Sequence, residues 1–188
     1  MESTPHDQVA TTTPHRDSGM TQEDIVAFMA GLPGVMTVIG SAESGTPEIS
    51  WGDTFFMYDP EGTQEPRRRM PFATVVTKDY PGFDTASDLD RPGVFRLNID
   101  IGRAAFEELI GYPPAAYAER AAHIDHTVLD RLVPHPAYAR QGWVAVLNPG
   151  AATSALVRTL LTDAHARIAR TTARTTQRRT GSQERAGS

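Results

Sequence analysis

The amino-acid sequence predicts a single α+β domain with a largely antiparallel sheet and helices packed on one face. Residues 143–147 form an unbroken apolar run that ends at an Asn-Pro-Gly turn, which is typical of a strand buried on both faces. Residues 95–99 alternate apolar and polar side chains, as a strand with one buried face does. The first four predicted strands follow one another closely enough to be joined by hairpins, which favours antiparallel pairing.

The first part of the chain predicts one helix and three strands. Thr21 and Asp24 have the spacing of a capping box, which begins a helix. The apolar positions of this helix follow at helical spacing: Ile25, Phe28, Met29 and Leu32. Apolar and β-branched residues then predict strands at 35–39, 49–58 and 72–77, separated by turn-forming residues.

The second part of the chain predicts two more strands and three helices. A long polar loop at 81–92 precedes them. In chain order, the predicted elements are a strand at 94–99, helices at 104–110 and 115–132, a strand at 143–147 and a helix at 153–170. The prolines of Pro134-His135-Pro136 end the second of these helices.

Both ends of the chain differ in composition from the middle. Residues 1–19 are rich in Thr, Pro, His and Asp, and residues 171–188 are rich in Arg and Thr, without apolar periodicity. Such segments bury too little apolar surface to offset the entropy of ordering. We therefore expect a disordered N-terminal extension at 1–19, a folded domain at 20–170 and a disordered tail at 171–188.

Composition excludes several classes of function. The chain has no cysteine, so disulfide and thiolate chemistry are excluded. It has neither a signal-peptide core nor an apolar run of the ~20 residues that span a bilayer, so we expect a cytoplasmic protein without a membrane partner. A net charge of −5 makes nucleic acid an unfavourable partner. The oligomeric state stays open.

Three features together resemble a known group of domains. A helix precedes a strand with Trp51-Gly52, the strand at 95–98 leads straight into a helix, and the strand at 142–147 leads into a terminal helix. This order resembles the MmcQ/YjbR group of small α+β domains, whose topology is frataxin-like, over about residues 21–170. The resemblance implies the fold and, as one alternative function, DNA binding.

Three longer segments are similar to an uncharacterised bacterial family. They are residues 51–56, with the sequence WGDTFF, residues 72–84, and residues 134–138, with the sequence PHPAY. This resemblance implies a bacterial protein and supplies no activity.

Histidines are the residues that best fit a metal site or an enzyme. His123, His126 and His135 are the only set of side chains suited to a metal, but their spacing is weak, and we expect neither a metal nor a cofactor. His135 between two prolines could act as the general base of a hydrolase. No serine or threonine lies in a strand–turn–helix elbow beside it, so no residue is assigned a catalytic role and enzymatic activity stays open.

The polar side of the predicted sheet is the best candidate binding surface. Arg96 and Asn98 point away from the apolar side chains of their strand. The residues that could share this side are Thr54, Phe56, Tyr58, Thr74 and Lys78, although the strand at 49–58 is apolar on both faces. Cations beside aromatic rings favour binding of a small anionic molecule or a peptide. On an exposed face of this kind, Arg96→Ala is expected to fold normally.

Overall fold

The structure, a computed structural model, describes residues 19–63 and 69–186. Its centre is one antiparallel sheet of six strands in the order β1-β2-β3-β4-β6-β5. The strands are β1 (Val35–Ile39), β2 (Thr54–Tyr58), β3 (Pro71–Val76), β4 (Arg96–Asp100), β5 (Leu132–Pro134) and β6 (Trp143–Leu147). The helices are α1 (Gln22–Ala30), α2 (Gly102–Ile110), α3 (Tyr117–Arg120) and α4 (Ser154–Ala186). The predicted α+β class with a single domain is confirmed.

Helices cover one face of the sheet and form the main core. Leu97 and Ile99 of β4 face this side, as do their partners Val146 and Val144 on β6. Helix α1 packs beside β1, and α4 crosses β2, β3 and β4. The buried side chains that the two helices contribute are Ile25, Met29, Val157, Leu160, Leu161 and Ala164. Burial of this apolar stripe is what holds the helices to the sheet.

Most predicted elements are present, with shifted ends. The capping box of α1 is formed, with Thr21 Oγ1 accepting from Asp24 N at 3.1 Å and Asp24 Oδ2 accepting from Thr21 N at 3.0 Å. Strand β2 begins only at Thr54, because residues 48–50 form a 3₁₀ turn and Gly52 has a φ of 88°. A left-handed residue of this kind ends an extended strand and favours glycine.

The helix predicted at 115–132 is wrong. The chain instead forms two 3₁₀ turns around the short α3 and then the edge strand β5. Asp125 accepts hydrogen bonds from both the backbone N–H and the hydroxyl of Thr127, which stabilises a turn rather than a helix. Pro134 is tolerated in β5 because this strand has only one neighbour, β6.

The last helix is longer than predicted. Helix α4 continues past residue 170 to Ala186, where we predicted a disordered tail. Residues 171–178 are almost all exposed, so this extension adds little to the core. Met20 is buried and its N–H donates to Pro149 O at 2.7 Å, so the folded part begins by Gly19. The predicted extension at 1–19 lies, but for Gly19, outside the described residues, and the boundaries of the domain stay predictions.

None of the helices in the described ranges is both long and apolar enough to cross a membrane.

Candidate functional site

The face of the sheet opposite the helices is covered by loops that leave a pocket. The loop between β3 and β4 and the segment after β5 fold over β3, β4 and β6, and a cavity of about 370 Å³ lies between them and the sheet. Thr74, Arg96 and Asn98 supply its polar floor. The predicted polar side of the sheet is thus the buried floor of a partly open pocket and not a flat exposed surface.

Aromatic side chains from both covering segments form the walls. Phe83 of the β3–β4 loop lies 6.0 Å from Tyr138, which lies 6.2 Å from Trp143 and 5.0 Å from His135, between ring centroids. Phe55 of β2 completes the lining on the far side. Phe83 and Tyr138 are 56% and 41% exposed, so they form the rim of the pocket. Walls of this kind suit a flat apolar molecule.

Asn98 lies on the floor of the pocket with one hydrogen-bonding group unused. It is 1% exposed, and its Nδ2 donates to Thr74 Oγ1 of the neighbouring strand at 2.9 Å. Its Oδ1 has no partner among the described residues. A buried acceptor without a partner costs stability, so its place on the floor of a pocket calls for an explanation.

Arg96 is paired within the protein. Its Nη2 lies 2.6 Å from Asp84 Oδ2, its Nη1 donates to Ser87 Oγ at 2.7 Å, and both charged side chains are 4% exposed or less. This pair fastens the β3–β4 loop to the sheet. The pair also cancels the charge that Arg96 would offer to an anion. Because Arg96→Ala would leave the Asp84 carboxylate buried without its partner, the expectation that this variant folds normally needs correction.

His135 is held as a neutral donor. Its Nδ1 accepts the backbone N–H groups of Ala137 and Tyr138 at 3.0 and 3.2 Å, which assigns its proton to Nε2. Burial lowers the pKa of His135 well below the ordinary value, and the nearby Arg96 and His126 lower it further. The ring therefore presents a proton and no free lone pair.

Tyr80 anchors the start of the covering loop. Its hydroxyl donates to Oδ2 of the buried Asp53, whose Oδ1 accepts from Thr77 N at 2.8 Å. Burial, and then the hydrogen bond to Asp53, raise the pKa of Tyr80 far above its ordinary value. The hydroxyl stays protonated, so among the described residues that line the pocket only the paired Arg96 and Asp84 carry a charge.

The structure brings only part of the predicted site together. Arg96, Asn98 and Thr74 line the pocket. Thr54 pairs with Val75 and so faces the helices, as does Tyr58, whose ring lies 5.5 Å from that of His165. The prediction that Thr54 and Tyr58 lie on the polar face is therefore wrong. Phe55, not Thr54, is paired with Thr74, so the strand is shifted by one residue relative to the prediction and its faces are exchanged. Phe56 likewise belongs to the helix-side core.

Lys78 also lies away from the pocket. Its Nζ donates to the backbone carbonyl of Trp51, at the surface. The sequence reasoning missed the aromatic wall, Phe55, Phe83, Tyr138 and Trp143, although Tyr138 and Phe83 stand in the segments that resembled the uncharacterised bacterial family. Among residues 19–63 and 69–186, no three histidine or acidic side chains lie together as metal ligands would.

Comparison with known proteins adds the family but no activity. No curated protein matches the chain. Among solved structures, the crystal structure of Deinococcus radiodurans protein DR2400, with the domain DUF419, is similar at 15% identity and a TM-score of 0.43, over 79% of this chain and 78% of that one. The resemblance to the MmcQ/YjbR group stays a prediction. A family model matches residues 20–179, which includes the sheet and both segments that enclose the pocket, and the chain therefore belongs to the family of unknown function DUF6194.

Proposed function

We propose that this protein binds a small, uncharged and largely apolar molecule in the pocket between the sheet and its covering loops. The observation that carries the proposal is the unpaired Oδ1 of Asn98 at the floor of an aromatic pocket. Ligand sites combine apolar walls with a few polar groups that fix orientation, and this pocket has that composition.

The charges of the site favour a neutral ligand over the small anion expected from the sequence. Both terminal nitrogens of Arg96 are already bonded to Asp84 and Ser87, and only its Nε lacks a partner among the described residues. An anion in the pocket would meet the carboxylate of Asp84 as well as the arginine, with little net attraction. A cavity of only about 370 Å³ under the covering loops also favours a small molecule over a peptide.

The alternatives are less well supported. A hydrolase with His135 as general base needs a free lone pair on the ring, but Nδ1 is engaged by two backbone N–H groups and Nε2 carries the proton. Among the described residues, the serine bonded to a lining side chain is Ser87, which accepts from Arg96 and is 1% exposed. DNA binding would need a basic surface, and the chain carries a net charge of −5.

The two tryptophans provide a test with an internal control. Trp143 lines the pocket, whereas Trp51 donates its indole N–H to Thr46 O outside it. We expect neutral 2-naphthol, titrated into the labelled protein, to shift the indole N–H signal of Trp143 in NMR spectra and leave that of Trp51 in place. A Kd of roughly 1 mM or tighter fits the efficiency of small aromatic ligands. Trp51→Phe assigns the signals.

Two further arms make this test decisive. Anionic 2-naphthoate has the same ring system and is expected to bind more weakly. Phe83→Ala removes a rim aromatic and should weaken 2-naphthol binding, while Ile39→Ala, at a similarly exposed apolar residue on β1, should not. Absence of a saturable shift with 2-naphthol, or tighter binding of 2-naphthoate, would contradict the proposal.

A further inference from the structure

The pocket floor carries an acceptor and a donor side by side. Thr74 and Asn98 are directly paired across β3 and β4. Because Thr74 Oγ1 accepts the hydrogen bond from Asn98 Nδ2, its own hydroxyl hydrogen is left to point elsewhere. No acceptor for that hydrogen is seen among the described residues, and Asn98 Oδ1 lacks a donor. Both residues are more than nine-tenths buried, so solvent does not easily satisfy either group.

A second donor lies on the wall. His135 lines the same pocket, and its Nε2–H, fixed by the two hydrogen bonds to Nδ1, makes no hydrogen bond within the described part of the chain. The site therefore offers one buried acceptor, Asn98 Oδ1, and three donors, because Arg96 Nε also lacks a partner among the described residues, and the rings of Tyr138 and Trp143 line the same pocket. A flat apolar ring that carries a donor next to an acceptor would contact these rings and satisfy the adjacent groups of the floor.

We propose that the ligand is a planar cyclic amide, such as a lactam fused to or part of an aromatic ring. Its N–H donates to Asn98 Oδ1, and its carbonyl oxygen accepts from the Thr74 hydroxyl or from His135 Nε2. A ring-embedded amide holds its N–H and C=O on the same edge, which matches the adjacent groups of Thr74 and Asn98. This inference rests on the proposed function and adds the chemical class of the ligand.

The inference is tested with two probes of the same shape. In 2-quinolone the ring contains N–H next to C=O, whereas in coumarin an oxygen atom replaces that N–H. Both are titrated into the full-length protein, and the Trp143 indole signal reports binding. We expect 2-quinolone to bind roughly tenfold tighter or more, because a site built to accept a hydrogen bond rejects the analogue that lacks the donor.

Two variants connect the preference to the floor of the pocket. Asn98→Leu, of similar size, should remove the preference for 2-quinolone while coumarin still binds. Thr74→Val keeps the shape of Thr74 and removes its hydroxyl, so it should weaken both probes similarly, since both carry the carbonyl. Unfolding curves for each variant show whether it folds, and Thr74→Val keeps the test available if Asn98→Leu does not.

The outcomes separate this inference from the proposed function. Equal affinity for 2-quinolone and coumarin, or tighter binding of coumarin, overturns the cyclic-amide class while binding of 2-naphthol still supports the pocket. A preference for 2-quinolone that persists in Asn98→Leu also overturns it, because the N–H is then recognised elsewhere. If 2-naphthol fails to bind, the proposed function itself is contradicted, and this inference with it.

Discussion

The two faces of the sheet are buried by different means. The helix-covered face is apolar, and its side chains on β4 and β6 are the branched aliphatics Leu97, Ile99, Val144 and Val146. The loop-covered face buries Arg96, Asn98 and Thr74 on the same strands and their neighbours. Close packing fills the first face, whereas the second keeps a cavity of about 370 Å³.

The two faces therefore contribute differently: the helix-covered face stabilises the fold, and the loop-covered face provides the polar groups that could recognise a ligand. Apolar burial on the helix side stabilises the fold without directional contacts. On the loop side, each buried polar group must find a specific partner, and Asp84 and Ser87 supply those of Arg96. Two groups on this face, Asn98 Oδ1 and Arg96 Nε, have no partner among the described residues, and we propose that a ligand supplies one.

The largest expected effect is that of breaking the ion pair on the loop side. Arg96→Ala leaves the Asp84 carboxylate buried without its partner, which should lower the free energy of unfolding by about 3–5 kcal/mol in urea titrations. Asp88→Asn disturbs the exposed pair of Asp88 with Arg91 and should change it by less than about 0.5 kcal/mol.

A double variant distinguishes the lost pair from lost packing. Arg96→Met combined with Asp84→Leu removes both charges, and it should recover much of the stability that Arg96→Ala loses. A single Arg96→Ala variant as stable as the parent protein would mean that the β3–β4 loop is not fastened to the sheet in solution.

Shortening a buried side chain on the helix-covered face should lower stability without changing the affinity of the pocket. Leu161 of α4 is fully buried, so Leu161→Ala should lower the free energy of unfolding by about 3 kcal/mol. The affinity for 2-naphthol should stay unchanged, because Leu161 lies across the sheet from the pocket. Leu109→Ala, at an exposed leucine of α2, is the control. A parallel loss of affinity would show that the faces are coupled.

A smaller effect is the dependence of stability on pH. Burial, followed by Arg96 and His126, lowers the pKa of His135 in the folded state, so the unfolded chain takes up the proton first as pH falls. Stability is thus complete above about pH 6.5, the ordinary histidine pKa, and is lost as pH falls from there towards the folded pKa. Burial also lowers the pKa of His126, which adds to the same trend.

His135→Asn isolates the part that comes from His135. An asparagine oxygen can accept the backbone N–H groups of Ala137 and Tyr138 and does not titrate. The loss of stability between pH 7 and pH 5, read from urea titrations at about these values, should therefore be smaller in the variant. Parallel curves for the two proteins would contradict a buried neutral histidine.

The smallest effect is expected at the end of α4. Deletion of residues 171–188 removes a segment that is exposed where its side chains are described, so the free energy of unfolding should change by less than about 0.5 kcal/mol. A clearly larger loss would mean that this part of the helix packs on the domain and that the predicted boundary at residue 170 is too short.

Local patterns were enough to predict the helix-side face but not the loop-side face. The alternation in residues 95–99 correctly assigned Arg96 and Asn98 to one side, because only one of the two faces of β4 is apolar. In β2 both faces are apolar, so nothing in the pattern distinguishes Phe55 from Thr54 as the neighbour of Thr74. The pairing of Arg96 with Asp84 depends on how a loop folds back, which periodicity does not encode.

The position of β6 has a consequence for how the chain folds. Strands β1 to β4 pair with their neighbours in sequence, but β6 enters between β4 and the edge strand β5, joining Arg96 to Leu147. Pairing over so long a stretch of chain carries a larger loop-closure entropy than the preceding hairpins. We expect the four-strand meander to form early and the pocket, which needs Asn98 from one part and His135 and Trp143 from the other, to be assembled last.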